Sequence, residues 1–275
     1  MYNGGNIMES VIESVMENLK NLKVEIKDKV CVITINRPKA LNALNNDTLR
    51  ELSQVIDMVS ENEEILGVII TGEGKVFVAG ADIRQMQNYK SEEGRKYAGY
   101  AQGIFDKIEA LEKTVIAAVN GYALGGGCEL AMSCDIRIAS EKAIFGQPEV
   151  NLGVIPCFGG TQRLSRLVGT GIAKELIFTG RQVNAEEAKS IGLVNKVISS
   201  DVLLEESMKM MNEIIEKAPI AIRYAKVVIN KGIDMDLKNA LELEKDIAGL
   251  TFATRDKQEG MNAFIEKRKP VFENK

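Results

Sequence analysis

The chain has 275 residues, of which 45% are hydrophobic and 27% are charged, and its formal net charge is -4. This length can bury a substantial core, and the negative charge argues against nucleic acid as the main partner, because binding to phosphates draws on an excess of Lys and Arg. The sequence contains no histidine, which excludes Ser-His-Asp and Cys-His catalysis and histidine-ligated metals. Acid-base chemistry must therefore fall to carboxylates, Lys, Tyr or Cys.

Hydropathy and cysteine spacing indicate where the protein is located and whether it has disulfides or a zinc site. The sequence has no apolar run of the roughly eighteen residues that a membrane-spanning helix needs, and no basic segment followed by an apolar leader. We therefore expect a protein that neither spans a membrane nor is secreted, with a cytoplasmic location. The cysteines show no CxxC spacing, so we expect neither disulfides nor a zinc site.

The amino-terminal part divides at about residue 24. Residues 1–23 carry mixed charge and are interpreted as a leader that is poorly ordered or forms a short helix. The sequence VEIKDKVCVITINRP then alternates apolar and polar positions on both sides of Asp28 and Lys29, which predicts a hairpin. Asn46 or Asp47 is expected to cap the helix that follows.

Two apolar strands are each followed by a glycine-containing loop. Residues 65–72 form the first strand, and Gly80 allows a tight turn in the loop VFVAGADI after it. Residues 114–119 form the second strand, which leads to the triple glycine at 125–127. Loops after neighbouring parallel strands meet at one edge of a sheet, so we expect these two loops to approach each other.

Two acids flank the triple glycine. The segment from Cys128 to Cys134 is apolar except for Glu129, which predicts a buried helix with a carboxylate in its first turn. The N–H groups that begin such a helix lack partners, and glycine lets a carbonyl oxygen reach them, as in an oxyanion hole. Glu149 follows Pro148 further along. Alone, each acid has a simpler reading, as a dipole-stabilised Glu or a solvated loop Glu; together they indicate an acid pair.

The carboxyl-terminal third is purely helical. From residue 201 the predicted segments are a helix with apolar positions around Met208, one from Pro219 to Gly232, one near 237–250 and one near 254–269. The alternating strands and helices before residue 201 predict an α/β fold with a parallel sheet. We therefore expect a core domain at 24–200 that carries the active site, and a helical region at 201–275.

Several segments resemble a known family. The stretches GYALGGGCELAMSCDIRIAS, FGQPEV and GGTQRL are similar to the crotonase, or enoyl-CoA hydratase, superfamily, and INRPKALNAL, VFVAGADI, TGRQVNAEEAKSIGLVNKV and FIEKRKP extend the similarity from about residue 24 to the carboxyl terminus. The resemblance implies a crotonase-like spiral of ββα units. It also implies that region 201–275 packs against neighbouring subunits in a homotrimer, or in a homohexamer made of two trimers.

The presence of both acids is similar to the true hydratases of this family. The resemblance implies reversible syn hydration of a 2-trans-enoyl-CoA, or dehydration of 3-hydroxybutyryl-CoA, with coenzyme A as part of the substrate and no separate cofactor or metal. Glu149 is expected to deliver the proton to Cα and Glu129 to act as the partner base on the water. The backbone N–H groups of Ala81 and Gly126 are the expected oxyanion donors.

The resemblance also implies a set of contacts to the coenzyme A part of the substrate. The expected residues are Lys39, Ala40, Ala81, Asp82, Ile83, Arg84 and Gly126, together with Phe264 and Lys267 from an adjacent subunit. Simpler interpretations exist for some of them. Ala81 can be a plain turn alanine, Asp82 a cap or turn residue, Arg84 a solvated side chain and Phe264 a core anchor of the last helix.

One position departs from the family pattern. Where the family commonly has Pro-Gly, this chain has Pro156 and Cys157, and the resemblance implies that the N–H of residue 157 holds the catalytic water. Cys157 keeps that N–H and can serve if its φ is negative. Two alternative functions stay open: another acyl-CoA reaction such as double-bond isomerisation, which needs one carboxylate, and a non-catalytic or RNA-binding protein of the same fold.

Overall fold

The structure is a computed structural model that describes residues 15–275. It divides into two compact units. The larger contains the chain up to Leu111 and Val115–Met208, and the smaller contains Glu112–Thr114 and Lys209–Lys275. Most of the expected leader therefore lies outside the described residues. No helix within residues 15–275 combines the length and apolar character needed to cross a bilayer.

The larger unit is built on a six-stranded sheet. Its strands pair in the order β1-β2-β3-β5-β7-β10, with β1 and β2 antiparallel and the pairs β2-β3, β5-β7 and β7-β10 parallel. The strands are β1 (Leu22–Lys27), β2 (Val30–Ile35), β3 (Gly67–Gly72), β5 (Thr114–Val119), β7 (Ile136–Ser140) and β10 (Lys196–Ile198). The expected hairpin and the parallel sheet are both present.

A second, four-stranded sheet carries the ends of the glycine loops. It has the order β4-β6-β8-β9, in which β6 is parallel to both β4 and β8, and β9 is antiparallel to β8. The strands are β4 (Val76–Val78), β6 (Tyr122–Leu124), β8 (Ile144–Gly146) and β9 (Gln182–Asn184). Because β4 and β6 are neighbours, the loops that leave them are brought side by side, as the sequence predicts.

Helices and short 3-10 turns connect these strands. The helices are α1 (Asn46–Glu61), α2 (Ile83–Met86), α3 (Ser91–Ala110), α4 (Gly126–Ser133), α5 (Gly160–Val168), α6 (Thr170–Thr179), α7 (Ala185–Ser190) and α8 (Leu203–Ile215), and the 3-10 turns are Pro38–Ala40, Glu149–Leu152 and Ser200–Val202. Residues 126–133 of α4 are all buried. This confirms the predicted buried helix that carries Glu129.

Three boundaries differ from the sequence-based predictions. Strand β1 begins at Leu22, which is buried, because the carboxylate of Glu51 accepts the N–H groups of Asn21 and Leu22 at 2.8 and 3.2 Å and fixes the chain there. The cap of α1 is Asn45, whose side chain accepts the N–H of Thr48 at 2.9 Å. A capping side chain must reach back over the first turn, and here residue 45 does so rather than residue 46 or 47.

Helix α3 is the third difference: the polar sequence predicts a mobile stretch from Gln85 to Gly94 and a helix from Arg95, whereas the helix starts at Ser91. The carboxylate of Glu93 accepts the N–H of Lys90 at 2.8 Å, which satisfies one of the unpaired groups at the start of the helix. The helical face of α3 then buries side chains from Tyr97 onward. A cap and a buried face together order a segment whose composition is polar.

The smaller unit is helical, as predicted. It contains α9 (Pro219–Gly232), α10 (Leu237–Phe252) and α11 (Arg255–Glu266). Buried Asp256 accepts the N–H groups of Glu273 and Asn274 at 2.7 and 3.0 Å, which fixes the end of the chain. Large apolar side chains of this unit are exposed in the single chain, among them Ile229, Ile233, Leu237, Phe252, Phe264, Ile265 and Val271.

Candidate active site

The loop after β4 and the start of α4 meet at Ala81 and Gly126. Ala81 forms an isolated parallel bridge with Leu44, whose carbonyl accepts the N–H of Asp82 at 2.8 Å. A β-carbon at Gly126 would lie only 3.4 Å from the backbone nitrogen of Ala81. Neither N–H donates a hydrogen bond to another backbone group within residues 15–275. The two expected oxyanion donors therefore lie side by side with their hydrogens available.

Gly125 brings the second acid to the same place. It has a φ of 50°, in the region that favours glycine. Its N–H donates to the carbonyl of Gly146 at 2.9 Å, which ties the glycine turn to the end of β8. A β-carbon on Gly125 would lie 2.8 Å from Oε1 of Glu149. The glycine is thus required both by the backbone angle and by the close approach of the carboxylate.

Glu129 is a buried carboxylate held by backbone donors. Glu129 is only 1% exposed. Its Oε1 accepts hydrogen bonds from the N–H groups of Phe158 and Gly160 at 2.8 and 2.7 Å. Burial raises the pKa of Glu129 to about 8, the charge of Glu149 adds to the rise, and the two N–H groups oppose it. The backbone donors orient one oxygen, so the carboxyl group is fixed in direction while its proton affinity is high.

Glu149 is the first residue of the 3-10 turn that follows Pro148. Burial raises its pKa to about 7. With two raised pKa values and repulsion between the charges, the acids titrate as a pair. The pair therefore retains a proton near neutral pH, so that one member can donate while the other accepts.

Gln147 is a member of this site that the analysis of the sequence did not single out. It is 1% exposed. With its amide nitrogen directed toward Glu149, it donates to both carboxylate oxygens at 3.1 and 3.2 Å. A β-carbon on Gly160 would lie 2.8 Å both from a terminal atom of the Gln147 amide and from Glu129 Oε1, so the amide also borders the first acid. The sequence feature that could have identified Gln147 is its position two residues before Glu149 in the segment FGQPEV.

Cys157 lies beside the pair and meets the condition set for its backbone. It is not among the residues with positive φ. Its carbonyl accepts Nε2 of Gln102 at 2.8 Å, which fixes the peptide that precedes Phe158. Burial raises the pKa of the Cys157 thiol to about 12, so the thiol stays protonated. The role of its N–H in holding a water stays a prediction.

The residues expected near coenzyme A fall on two neighbouring segments of the larger unit. Lys39 and Ala40 lie in the 3-10 turn Pro38–Ala40, and the carbonyl of Leu41 accepts the N–H of Ala79 at 3.1 Å. Ile83 and Arg84 are exposed at the start of α2. The structure thus brings the two segments together at the loop that carries Ala81.

Asp82 occupies the cap position of α2 but makes no capping hydrogen bond with its side chain. Its carboxylate instead pairs with Arg37 at 3.1 Å. Arg37 also contacts the carbonyl of Ala43. Asp82 therefore connects the segment that carries Lys39 to the Ala81 loop, and its side chain does not cap α2.

Phe264 and Lys267 belong to the smaller unit. Phe264 is 85% exposed on α11, which contradicts its interpretation as a core anchor of the last helix within the chain. Lys267 ends α11 in the left-handed conformation, with a φ of 55°. Their expected contact with coenzyme A across a subunit boundary stays a prediction.

Within residues 15–275, no group of three or more His, Cys, Asp or Glu side chains is arranged to hold a metal ion.

Comparison with known proteins gives a consistent answer. Residues 25–275 match the family model described as enoyl-CoA hydratase/isomerase. The chain is 55% identical over 252 residues to the short-chain-enoyl-CoA hydratase of Clostridium acetobutylicum, covering 91% of this chain and 97% of that protein. It is 52% identical to the crotonyl-CoA hydratase of Syntrophomonas wolfei subsp. wolfei, covering 93% and 99%.

Solved structures agree with this result. The crystal structure of the enoyl-CoA hydratase from Bacillus anthracis superimposes with a TM-score of 0.90 at 40% identity, covering 93% of this chain and 100% of that one. The spiral of ββα units implied by the sequence resemblance is therefore the fold of this chain. The chain belongs to the enoyl-CoA hydratase/isomerase, or crotonase, family.

Proposed function

We propose that this protein catalyses the reversible syn addition of water to a 2-trans-enoyl-CoA, which yields a 3-hydroxyacyl-CoA. The observation that carries the proposal is the pair of buried acids, Glu129 and Glu149, on either side of a glycine turn with two available N–H groups. Addition of water to a conjugated thioester needs a base for the water, an acid for Cα and a stabilised thioester oxygen. The pair and the turn supply all of these groups without a metal.

The acids divide the proton transfers between them. Glu129 takes a proton from water as the water oxygen bonds to Cβ, and Glu149 gives its proton to Cα as the double bond is lost. The negative charge that develops on the thioester oxygen is stabilised by the N–H groups of Ala81 and Gly126, each at about 3 kcal/mol of barrier. The reactive form of the pair has its shared proton on Glu149. One hydration leaves that proton count unchanged but moves the proton to Glu129, so transfer of a proton from Glu129 to Glu149 restores the starting state.

Gln147 has a supporting role in this scheme. Its amide donates to the Glu149 carboxylate, which stabilises the ionised state of Glu149 and fixes the direction of the carboxyl group. Burial acts in the opposite direction on the same group. With a pKa of about 7, Glu149 can give a proton to Cα and regain one before the next turnover at neutral pH.

The same proposal covers the partners of the protein. The substrate is an acyl-CoA thioester, coenzyme A is part of it, and no separate cofactor takes part. The high identity to proteins named short-chain-enoyl-CoA hydratase and crotonyl-CoA hydratase supports this substrate class. A homotrimer or homohexamer and a cytoplasmic location, both expected from the sequence, belong to the proposal as well.

An absorbance assay with crotonyl-CoA tests the function. Adding the protein should remove the absorbance of the conjugated thioester and produce a product heavier by one water. If the absorbance of crotonyl-CoA does not change but a 3-enoyl-CoA is converted to the conjugated form, the protein is a double-bond isomerase instead. A salt-dependent shift of RNA by a protein that is inactive on both substrates would assign a binding function.

A further inference from the structure

An aromatic cluster borders the glycine turn. A β-carbon at Gly126 would lie 3.1 Å from two atoms of the Phe158 ring. The rings of Tyr97 and Phe105 pack edge-on against that ring, with centroids 5.3 and 5.8 Å away. All three side chains are buried. Because such interiors are closely packed, the Phe158 ring cannot move away from Gly126 unless one of its neighbours is removed.

Tyr97 is fixed beside the loop that carries the Ala81 N–H. Its hydroxyl donates to the carbonyl of Leu44 at 3.4 Å, and Leu44 forms the bridge with Ala81. Burial raises the pKa of the Tyr97 phenol, with Cys157, Tyr89 and Asp82 adding to the rise. The same side chain therefore packs against Phe158 and is hydrogen-bonded to the residue that pairs with Ala81.

A cleft of about 440 Å³ lies next to this cluster. Its aromatic lining is Tyr89, Tyr97 and Tyr100, its polar rim is Asn46, Arg50, Glu93 and Lys96, and Phe158 does not line it. Tyr89 packs edge-on against Tyr97 with centroids 5.5 Å apart. Tyr97 therefore stands between the Phe158 ring and the cleft, and it is the side chain that both regions share.

The acyl chain of a substrate would meet this cluster. With the thioester oxygen at the N–H groups of Ala81 and Gly126 and the reacting carbons between the acids, the rest of the chain is apolar. An apolar chain is stabilised where it leaves water for apolar surface, and the Phe158 ring is the apolar surface that borders Gly126. A long chain needs room that this ring occupies.

We infer that Tyr97 limits the length of the acyl chain: it holds the Phe158 ring against Gly126 and separates the acyl end of the site from the adjoining cleft, which restricts the enzyme to short 2-enoyl-CoA substrates. The inference rests on the proposed function and names the substrate class within it. Removing the Tyr97 ring frees the Phe158 ring to turn and joins the site to the cleft, which makes room for a longer chain.

Hydration of crotonyl-CoA and of trans-2-decenoyl-CoA by the purified protein tests this inference. We expect kcat/KM of the native protein to favour crotonyl-CoA by at least about 10-fold, and Tyr97→Ala to reduce that preference by at least about 10-fold. The change should come mainly from a lower KM for decenoyl-CoA, because Tyr97 touches no reacting atom. Tyr97→Phe keeps the ring and should keep the native preference.

Tyr100→Ala is the matched control, because Tyr100 lines the same cleft but is 44% exposed. It should keep the native preference. If Tyr97→Ala does not fold, Tyr97→Leu replaces it. The preference of the native protein for crotonyl-CoA over decenoyl-CoA tests the inference without any variant. Equal hydration of both substrates by the native protein, or an unchanged preference in a folded Ala or Leu variant, overturns the inference. Hydration of neither substrate by the native protein contradicts the proposed function instead.

Discussion

The backbone of Gly125 and the carboxylate of Glu149 are so close that a β-carbon on the glycine would lie 2.8 Å from Oε1 of the acid. Contacts this short between a β-carbon and an oxygen require one of the two to move. The φ of 50° at Gly125 adds strain for any other residue. The position of the second acid therefore depends on the absence of a side chain at residue 125.

Gly125→Ala should accordingly displace Glu149 and lower kcat by at least about 100-fold. The measurement is the rate of crotonyl-CoA hydration, with thermal melting to follow stability. Gly99→Ala is the control, because Gly99 lies within α3 and a β-carbon there meets nothing within 4 Å. That control should keep full activity and gain up to about 1 kcal/mol of stability. Normal turnover in Gly125→Ala would contradict the placement of Glu149.

The two acids should each be essential to turnover. Glu129→Gln and Glu149→Gln should each lower kcat by at least about 100-fold while acyl-CoA affinity stays within a few-fold, because each amide keeps the shape but cannot exchange the proton. Steady-state rates and calorimetric binding of an acyl-CoA measure the two effects. Glu51→Gln tests a buried acid outside the site and should change stability rather than kcat. Near-normal turnover in either site variant would refute the mechanism.

The raised pKa of Glu129 predicts a pH dependence of stability. The folded-state pKa is about 8, above the unfolded value of about 4.3, so the folded state binds the proton more tightly. Its contribution to stability is fully present below the unfolded pKa and is lost as pH rises through the folded pKa. Between about pH 5 and pH 9, the melting temperature of the native protein should therefore fall further than that of Glu129→Gln. Parallel melting curves for the two proteins would be evidence against the shift.

Cys157 should tolerate replacement by glycine but not by proline. Cys157→Gly keeps the backbone N–H and should change turnover by less than about 10-fold, or about 1.4 kcal/mol of barrier. Cys157→Pro removes the donor and should abolish turnover. Hydration rates of folded variants measure this. A large gain in Cys157→Gly would mean that the cysteine impairs hydration, and would favour another acyl-CoA reaction for the native protein.

Lys267 should contribute to coenzyme A binding from a neighbouring subunit. Lys267→Glu reverses the charge at the expected adenine pocket and should weaken coenzyme A binding by about 10-fold or more, with melting unchanged because the side chain is exposed. Calorimetry with coenzyme A measures the affinity, and sedimentation should give a multiple of three chains. Lys257→Glu, elsewhere on α11, is the control. A fully active monomer would contradict the prediction.

Much of the fold was predictable because its signals are local. Pro219 and Gly232 begin and end α9 at the residues that the sequence indicated, since proline suits a first helical turn and a glycine suits its end. Apolar strands followed by glycine turns predicted that the loops at Ala81 and Gly126 would meet. Glu129 was identifiable because a lone carboxylate in an apolar helix needs a reason to be there.

Distant contacts decided the rest. Glu129 receives its hydrogen bonds from Phe158 and Gly160, which are 29 and 31 residues away, and its raised pKa comes from burial by the whole unit. Asp82 pairs with Arg37, 45 residues away, rather than capping α2. A one-dimensional pattern shows the kind of each side chain and its periodicity. Burial and hydrogen-bond partners set proton affinity and orientation, and these depend on tertiary packing, which is why Gln147 and Tyr97 emerged only from the folded chain.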